Sequence, residues 1–134
     1  MDENRLQELP LFSGLSKRER KRLAPLVEEV DVKDGRELAH EGDLAFELFV
    51  IVEGTASVRH DGEHIAGLGP GDFFGEIALL DDERRRTSTV IATSPMRLAV
   101  MQGHDVRVVE REFPAVASQI RAAINSRLAS DERR

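Results

Sequence analysis

The chain contains no cysteine and no long uninterrupted hydrophobic run. The lack of cysteine excludes disulfide bonds and thiolate-bound metals, and it removes any clue to the redox compartment. No segment approaches the roughly 18 consecutive apolar residues of a transmembrane helix. The polar N-terminus is not followed by the apolar core of a signal peptide. We therefore expect a cytoplasmic protein that does not insert into a membrane.

Tryptophan and tyrosine are also absent, so the aromatic residues are six phenylalanines. We expect these rings to fill a core rather than to form a platform on which bases stack. The net charge of -6 argues against non-specific binding to nucleic acids or anionic membranes. A length of 134 residues fits one domain, with one hydrophobic core and one small-molecule site.

Both ends of this single domain, residues 1–134, have helical patterns. In the helical lead-in, residues 1–28, Ser16 and Glu19 have the spacing of a capping box, which predicts a helix start. Residues 104–131 predict C-terminal helices, and Pro114 suits the first turn of one of them. The apolar residues of that helix recur at intervals of three and four. They are Phe113, Val116, Ala117, Ile120, Ile124 and Leu128.

The middle of the chain, residues 29–101, has short alternating apolar segments separated by turn pairs such as Asp34-Gly35 and Asp61-Gly62. Many short strands at close spacing favour an antiparallel barrel or jelly roll. The fold class is therefore predicted as mainly β with flanking helices. In detail, we expect a double-stranded β-helix (jelly-roll) barrel of about eight strands, with N-terminal helices and a C-terminal amphipathic helix.

Residues 74–88 combine features that suit a small phosphate attached to a sugar. Gly75 lets the backbone approach a ligand closely at the start of a predicted short helix, whose free N–H groups favour anions. Arg86 can offer two parallel donors to phosphate oxygens. Thr87 adds a hydroxyl and Ser88 a backbone N–H, whereas Glu76 can accept a hydrogen bond from a sugar hydroxyl.

This segment, read as Gly-Glu-Ile-Ala-Leu at 75–79 and Arg-Thr-Ser at 86–88, resembles the phosphate-binding cassette of cyclic nucleotide-binding domains. The step of eleven positions from Gly75 to Arg86 resembles the catabolite activator protein branch. The kinase regulatory subunits have a step one residue shorter. The similarity extends over roughly residues 9–128. Its other matching segments are residues 10–15, 41–43, 49–51, Gly54 and the run 69–75.

The resemblance implies a role for each cassette residue. Arg86 would pair with the cyclic phosphate, and Thr87 would bond one of its oxygens. Glu76 would accept from the ribose 2′-hydroxyl, while Gly75 and Ile77 would contribute backbone contacts. The final helix would cover the base. The predicted ligand-binding residues are Phe74, Gly75, Glu76, Ile77, Ala78, Arg86, Thr87, Ser88, Arg127 and Asp131.

The implied function is regulatory: the domain binds a cyclic nucleotide as its ligand, without a cofactor, and signals through movement of the C-terminal helix. The cassette length favours cAMP. Cyclic GMP is also possible, because guanine-favouring members often carry threonine at the position of Thr87. No catalysis and no DNA binding by this chain are expected. The signal would pass to a protein effector in trans or through a homodimer of residues 113–128. Both a stand-alone module and a fragment of a longer protein remain open.

Two alternatives stay open. The first is a degenerate β-roll that acts as an interaction module without a nucleotide, and the second is an enzyme of cupin-like roll with a bound metal. No metal site is expected, because His60 and His64 flank a turn where they can meet but have no evident third ligand. His40 and His104 are scattered elsewhere.

Two basic segments are expected to be solvated rather than functional. The first, residues 17–22, carries five basic residues but no interleaved aromatic side chains that would suggest nucleic-acid binding. The second is the pair Arg84 and Arg85, beside the acidic residues 81–83. An exposed charge run usually contributes little to stability.

Overall fold

The computed structural model describes residues 1–75 and 85–132, with side chains described up to Ser126. Helix α1 (Glu3–Glu8) is followed by a 3₁₀ helix, Pro10–Phe12. Helix α2 (Lys17–Leu23) is followed by a second 3₁₀ helix, Ala24–Leu26. The predicted capping box forms at the start of α2. The Glu19 backbone N–H donates to Ser16 Oγ at 3.2 Å, and the Ser16 N–H donates to Glu19 Oε1 at 2.9 Å.

Eight antiparallel strands follow within the described residues. Their bounds are β1 Val27–Val32, β2 Glu37–Ala39, β3 Glu47–Glu53, β4 Ala56–His60, β5 Glu63–Leu68, β6 Phe73–Phe74, β7 Thr89–Ala92 and β8 Met96–Gln102. They form two four-stranded sheets with the orders β1-β8-β3-β6 and β2-β7-β4-β5. The predicted mainly β roll with flanking helices is thus confirmed. Its strands lie in two separate hydrogen-bonded sheets that do not close into one barrel.

The core has two parts because β3 and β8 are buried on both faces. Successive strand side chains point to opposite faces. Phe49 and Ile51 of β3 therefore pack between the two sheets, while Leu48 and Val50 pack against the helices. The near-continuous apolar segment of β3 follows from this double burial. Phe46, just before the strand, is instead 63% exposed, so not every phenylalanine belongs to the core.

Helix α3 (Gly103–Glu112) and helix α4 (Pro114–Glu132) follow β8. Pro114 opens α4, as its fixed φ predicts. Val116, Ala117 and Ile120 are buried, so the predicted apolar spacing corresponds to the packed face of α4 over the described side chains. Among the described residues, no helix is both long and apolar enough to cross a bilayer.

The basic helix α2 is partly engaged by its own chain. Arg22 Nη2 lies 3.3 Å from Glu112 Oε2 of α3, and its guanidinium lies 5.1 Å from the centre of the Phe113 ring. Arg20 donates to the Leu15 carbonyl at 2.9 Å. The two contacts of Arg22 join α2 to the C-terminal end of α3.

Candidate functional site

Arg86 lies just before β7, and its backbone is fixed by the loop between β2 and β3, residues 40–46. The Arg86 N–H donates to the Asp43 carbonyl at 2.8 Å, and the Gly42 N–H donates to the Arg86 carbonyl at 2.9 Å. Gly42 has a φ of +87°, in the left-handed region that favours glycine. The backbone of Arg86 is thus held on both sides by neighbouring backbone groups.

The Arg86 side chain is turned inward and is only 7% exposed, unusually low for an arginine. Its Nη2 donates to the Glu47 carbonyl at 2.9 Å and its Nη1 to the Gly75 carbonyl at 3.4 Å. The guanidinium carbon lies 5.6 Å from the centre of the Phe49 ring, within cation–π range. These contacts, which are among those that Arg86 makes, orient the guanidinium toward Gly75.

Gly75 approaches Arg86 so closely that no side chain fits between them. Its φ is +98°, and a Cβ built on it would lie 2.5 Å from Arg86 Nη1 and 2.9 Å from the Glu47 carbonyl oxygen. Only glycine satisfies both the dihedral angle and the space. The two ends of the predicted cassette, eleven positions apart, therefore meet in the folded chain.

The strand that leads to Gly75 is anchored in the core. Phe74 of β6 is 5% exposed and stacks on Phe49, with ring centres 4.9 Å apart and planes inclined by 18°. Phe74 also pairs with Phe49 in the ladder between β3 and β6. The predicted site residue Phe74 thus uses its ring for packing, and it supports Gly75 from the preceding position.

Thr87 and Ser88 continue from Arg86 toward β7. Thr87 is exposed and Ser88 is half-buried. The Thr87 carbonyl lies 3.2 Å from Nδ1 of His60, at the turn between β4 and β5. Arg85, directly before Arg86, is exposed as expected, and its Nη1 donates to the Gly42 carbonyl at 3.1 Å.

The structure brings five of the predicted site residues into one region: Phe74, Gly75, Arg86, Thr87 and Ser88. Glu76, Ile77, Ala78 and the solvent-facing candidate Arg84 lie outside the described residues, as do the side chains of Arg127 and Asp131. The predicted cassette helix that starts after Gly75 also lies outside them.

Sequence reasoning missed the carbonyl of Glu47, the ring of Phe49 and the contact between His60 and Thr87. A backbone carbonyl has no signature in sequence, because every residue carries one. His60 and His64 flank the turn where the sequence allows them to meet, but their described partners differ. His64 Nδ1 lies 2.6 Å from Ser57 Oγ, and His60 Nδ1 lies 3.2 Å from the Thr87 carbonyl.

This arrangement suits an anion in chemical terms. Arg86 is permanently charged, and the two described hydrogen bonds of its guanidinium go to neutral carbonyl oxygens. A hydrogen bond from a guanidinium to a charged oxygen is roughly twice as strong as one between neutral groups. A phosphate beside Gly75 would meet a positive charge and an approachable backbone.

Known proteins are similar to this chain in both sequence and fold. The model of the cyclic nucleotide-binding domain family matches residues 29–111. The chain is 37% identical over 101 residues to a cAMP-dependent protein kinase regulatory subunit of Hypocrea atroviridis, covering 75% of this chain and 22% of that protein. It spans about a fifth of the length of such curated relatives.

Two solved structures illustrate the shared fold. The catabolite activator protein of Thermus thermophilus superposes with a TM-score of 0.78 at 29% identity, over 92% of this chain and 60% of that one. The regulatory subunit of a cAMP-independent protein kinase A from Trypanosoma brucei gives 0.77 at 24% identity, over 90% and 43%. With the family match over more than half of its length, the chain belongs to the cyclic nucleotide-binding domain family.

Proposed function

We propose that this domain binds a cyclic nucleotide, with cAMP preferred, and reports its occupancy through helix α4. Arg86 pairs with the cyclic phosphate, Thr87 and Ser88 add hydrogen bonds to its oxygens, and Gly75 and Ile77 contribute backbone contacts. Glu76 accepts from the ribose 2′-hydroxyl. Arg127 and Asp131 contact the base from the end of α4. Phe74 and Ala78 complete the wall of the site.

One observation carries this proposal: the buried guanidinium of Arg86 lies against a glycine whose Cβ would lie 2.5 Å from Arg86 Nη1. A guanidinium is the side-chain group that best matches the oxygens of a phosphate. Its position beside Gly75, at the other end of the predicted cassette, is what an anion site of this kind requires. The likeness to the kinase regulatory subunit supports the same ligand class.

Family membership alone does not determine the ligand, since the Trypanosoma brucei protein is described as cAMP-independent. The choice of cAMP rests on the step of eleven positions between Gly75 and Arg86, which resembles the catabolite activator protein branch. The alternative, a degenerate domain that binds no nucleotide, predicts that calorimetric titration with either nucleotide releases no heat of binding.

The signal leaves the domain by a shift in the population of α4 positions. Polar contacts of Gln119 and Arg121 help to hold α4 in the described arrangement. Gln119 Nε2 donates to the Leu11 carbonyl at 3.3 Å, and Arg121 Nε donates to Glu110 Oε1 of α3 at 2.6 Å. A ligand that contacts the end of α4 alters the balance of these contacts, and a protein effector or a second copy of the chain reads the change.

Calorimetric titration with cAMP and cGMP tests the proposal. Arg86→Ala should weaken binding roughly 10- to 150-fold, because the loss of a charge-assisted bond costs about 1.5–3 kcal/mol. Arg85→Ala is the matched control. It removes the same charge from the adjacent, exposed position. The nucleotide affinity should stay within about twofold of the wild type, because exposed charges contribute little.

Arg86→Lys keeps the charge but removes the paired donors, so it separates the contribution of the charge from that of the donor geometry. Thermal melting of each variant shows whether it is folded. Affinity that is equal in Arg86→Ala and Arg85→Ala would remove Arg86 from the site. The absence of heat with both nucleotides in the folded wild-type domain would reject nucleotide binding altogether.

A further inference from the structure

Three potential metal ligands converge at the turn between β4 and β5. His60 is the last residue of β4, Asp61 begins the turn, and Glu41 comes from the loop between β2 and β3. One ligand atom from each lies within 4.8 Å of the other two. Glu41 Oε1 also accepts a hydrogen bond from the Asp61 N–H at 3.0 Å, which holds the loop against the turn. Only folding supplies this third ligand, since Glu41 is remote from the turn in sequence.

The His60 ring is oriented through Nδ1 by one acceptor outside this cluster and one within it. Nδ1 lies 3.2 Å from the Thr87 carbonyl and 3.5 Å from Glu41 Oε2. Because the carbonyl can only accept, Nδ1 carries the proton in that contact. In a neutral imidazole, Nε2 then presents a lone pair. That lone pair faces another acceptor, Asp61 Oδ2, at 3.5 Å. Two acceptors face each other favourably only when a proton or a metal ion lies between them.

We propose that Glu41, His60 and Asp61 form a binding site for a divalent metal ion of the Zn²⁺ class. His60 Nε2 and the two carboxylates are the ligands, and the Thr87 carbonyl is the outer partner that fixes the ring. Metal-bound histidines characteristically donate their other N–H to a carbonyl or carboxylate. An imidazole among the ligands favours Zn²⁺, Ni²⁺ or Co²⁺ over Mg²⁺.

The ligand set has the composition and access that such an ion requires. Zinc binds histidine nitrogens and carboxylate oxygens at about 2.0–2.2 Å, so small side-chain rotations bring atoms within 4.8 Å of one another into coordination. The side chains of His60, Glu41 and Asp61 are 49%, 29% and 83% exposed, which leaves the site open to ions from solution.

This site adjoins the two residues that carry the phosphate in the proposed function, and its regulatory effect rests on that function. The turn reaches Thr87 through His60. The loop segment 41–43 reaches Arg86 through the backbone hydrogen bonds of Gly42 and Asp43. A metal ion that joins the loop to the turn therefore restrains the segment 86–87 from both sides. Preorganisation of a binding segment raises affinity by reducing the ordering cost, so the metal should tighten nucleotide binding.

Direct metal binding is tested on the nucleotide-free domain by calorimetric titration with Zn²⁺ and, separately, with Mg²⁺. We expect one Zn²⁺ per chain, with affinity falling as pH is lowered because protons compete for the ligands. His60→Gln and Asp61→Asn should each weaken Zn²⁺ binding at least about tenfold. Asp61 has a φ of +52°, which asparagine tolerates, so Asp61→Asn preserves the turn.

His104→Gln is the matched control. His104 Nε2 lies 3.4 Å from Asp105 Oδ1, a pair like that of His60 and Asp61 but outside the three-ligand cluster. This variant should bind Zn²⁺ as the wild type does. The proposal is overturned if Zn²⁺ does not bind stoichiometrically, if His60→Gln binds it as tightly as His104→Gln, or if Mg²⁺ binds equally well.

Regulation is then measured as the cAMP affinity with and without Zn²⁺. If Zn²⁺ raises the cAMP affinity of the wild type but not that of Asp61→Asn, the metal site and the nucleotide site are coupled. If the Zn²⁺-loaded wild type binds cAMP no more tightly than the metal-free domain, this coupling is rejected. Arg86→Ala separates the two proposals, because it should weaken nucleotide binding and leave Zn²⁺ binding unchanged. Retention of Zn²⁺ by a domain that binds no nucleotide would refute the proposed function and leave the metal site standing.

Discussion

Replacing Gly75 with alanine tests how closely the two ends of the cassette approach each other. The new Cβ would lie 2.5 Å from Arg86 Nη1 and 2.9 Å from the Glu47 carbonyl oxygen, at a φ of +98°. The backbone conformation alone costs about 1–2 kcal/mol for a residue with a Cβ. Crowding of a packed site adds about 1–3 kcal/mol. The free energy of unfolding should therefore fall by about 2–5 kcal/mol.

Gly62→Ala separates these two contributions. Gly62 has a φ of +80°, and a Cβ there would meet nothing within 4 Å. This variant carries the backbone cost without the crowding, so it should lose only about 1–2 kcal/mol. Urea unfolding measures both variants, with unchanged slopes as the condition for comparing them. The difference between the two losses is the cost of the contact around Gly75.

The clash with Arg86 can be isolated further. Arg86→Ala removes the atom nearest to the new Cβ, so Gly75→Ala should cost less in that background. The coupling free energy should be about 0.5–3 kcal/mol, the range for residues in contact. If Gly75→Ala destabilises no more than Gly62→Ala, and the double variant shows no coupling, Gly75 and Arg86 do not meet as described.

Two further variants examine the scaffold. Gly54→Ala, at a φ of +94°, places a Cβ 2.5 Å from the Pro95 carbonyl oxygen and 2.9 Å from Met96 Cα, which are backbone atoms that cannot turn aside. In urea unfolding, this variant should lose more stability than Gly62→Ala. The nucleotide affinity of the folded variant should be unchanged, and a reduced affinity would show that this turn influences the site. Ile120→Ala in α4, at a fully buried position, should cost about 2–5 kcal/mol in the same assay, whereas a cost below about 1 kcal/mol would mean that α4 is not docked on the core.

Features that depend on neighbours in sequence could be predicted. The capping box of Ser16 and Glu19 forms because its two hydrogen bonds join residues three apart. The turn at Asp61-Gly62 forms because both residues tolerate positive φ, which is observed at +52° and +80°. The buried face of α4 follows from the spacing of its apolar residues. The local chemistry of the chain determines each of these features without knowledge of the fold.

Features that depend on distant neighbours could not be derived from local patterns. The position of β8 between β1 and β3 joins segments far apart in sequence, and no local pattern encodes it. The carbonyl of Glu47 contacts Arg86 because β3 runs past the site, a consequence of topology rather than of residue type. The site residues Gly75 and Arg86 were predicted because one specific segment resembled a known cassette. The groups that hold Arg86 in place were not.

The 3₁₀ helix Pro10–Phe12 lies between the candidate site and α4, and it gives the signalling proposal a physical route. On one side it contacts Gly71, which lies four residues before Gly75: a Cβ built on Gly71 would be 3.2 Å from Pro10 Cγ. On the other side, Gln119 of α4 donates to the carbonyls of Pro10 and Leu11.

Gly71 is itself fixed to β3, because its N–H donates to the Ile51 carbonyl at 2.8 Å. A shift of the segment that follows Gly71 can therefore reach α4 through two contacts of the same short helix. A signal that passes from Gly75 to α4 by this route depends on the N-terminal helices, although they carry none of the predicted ligand contacts.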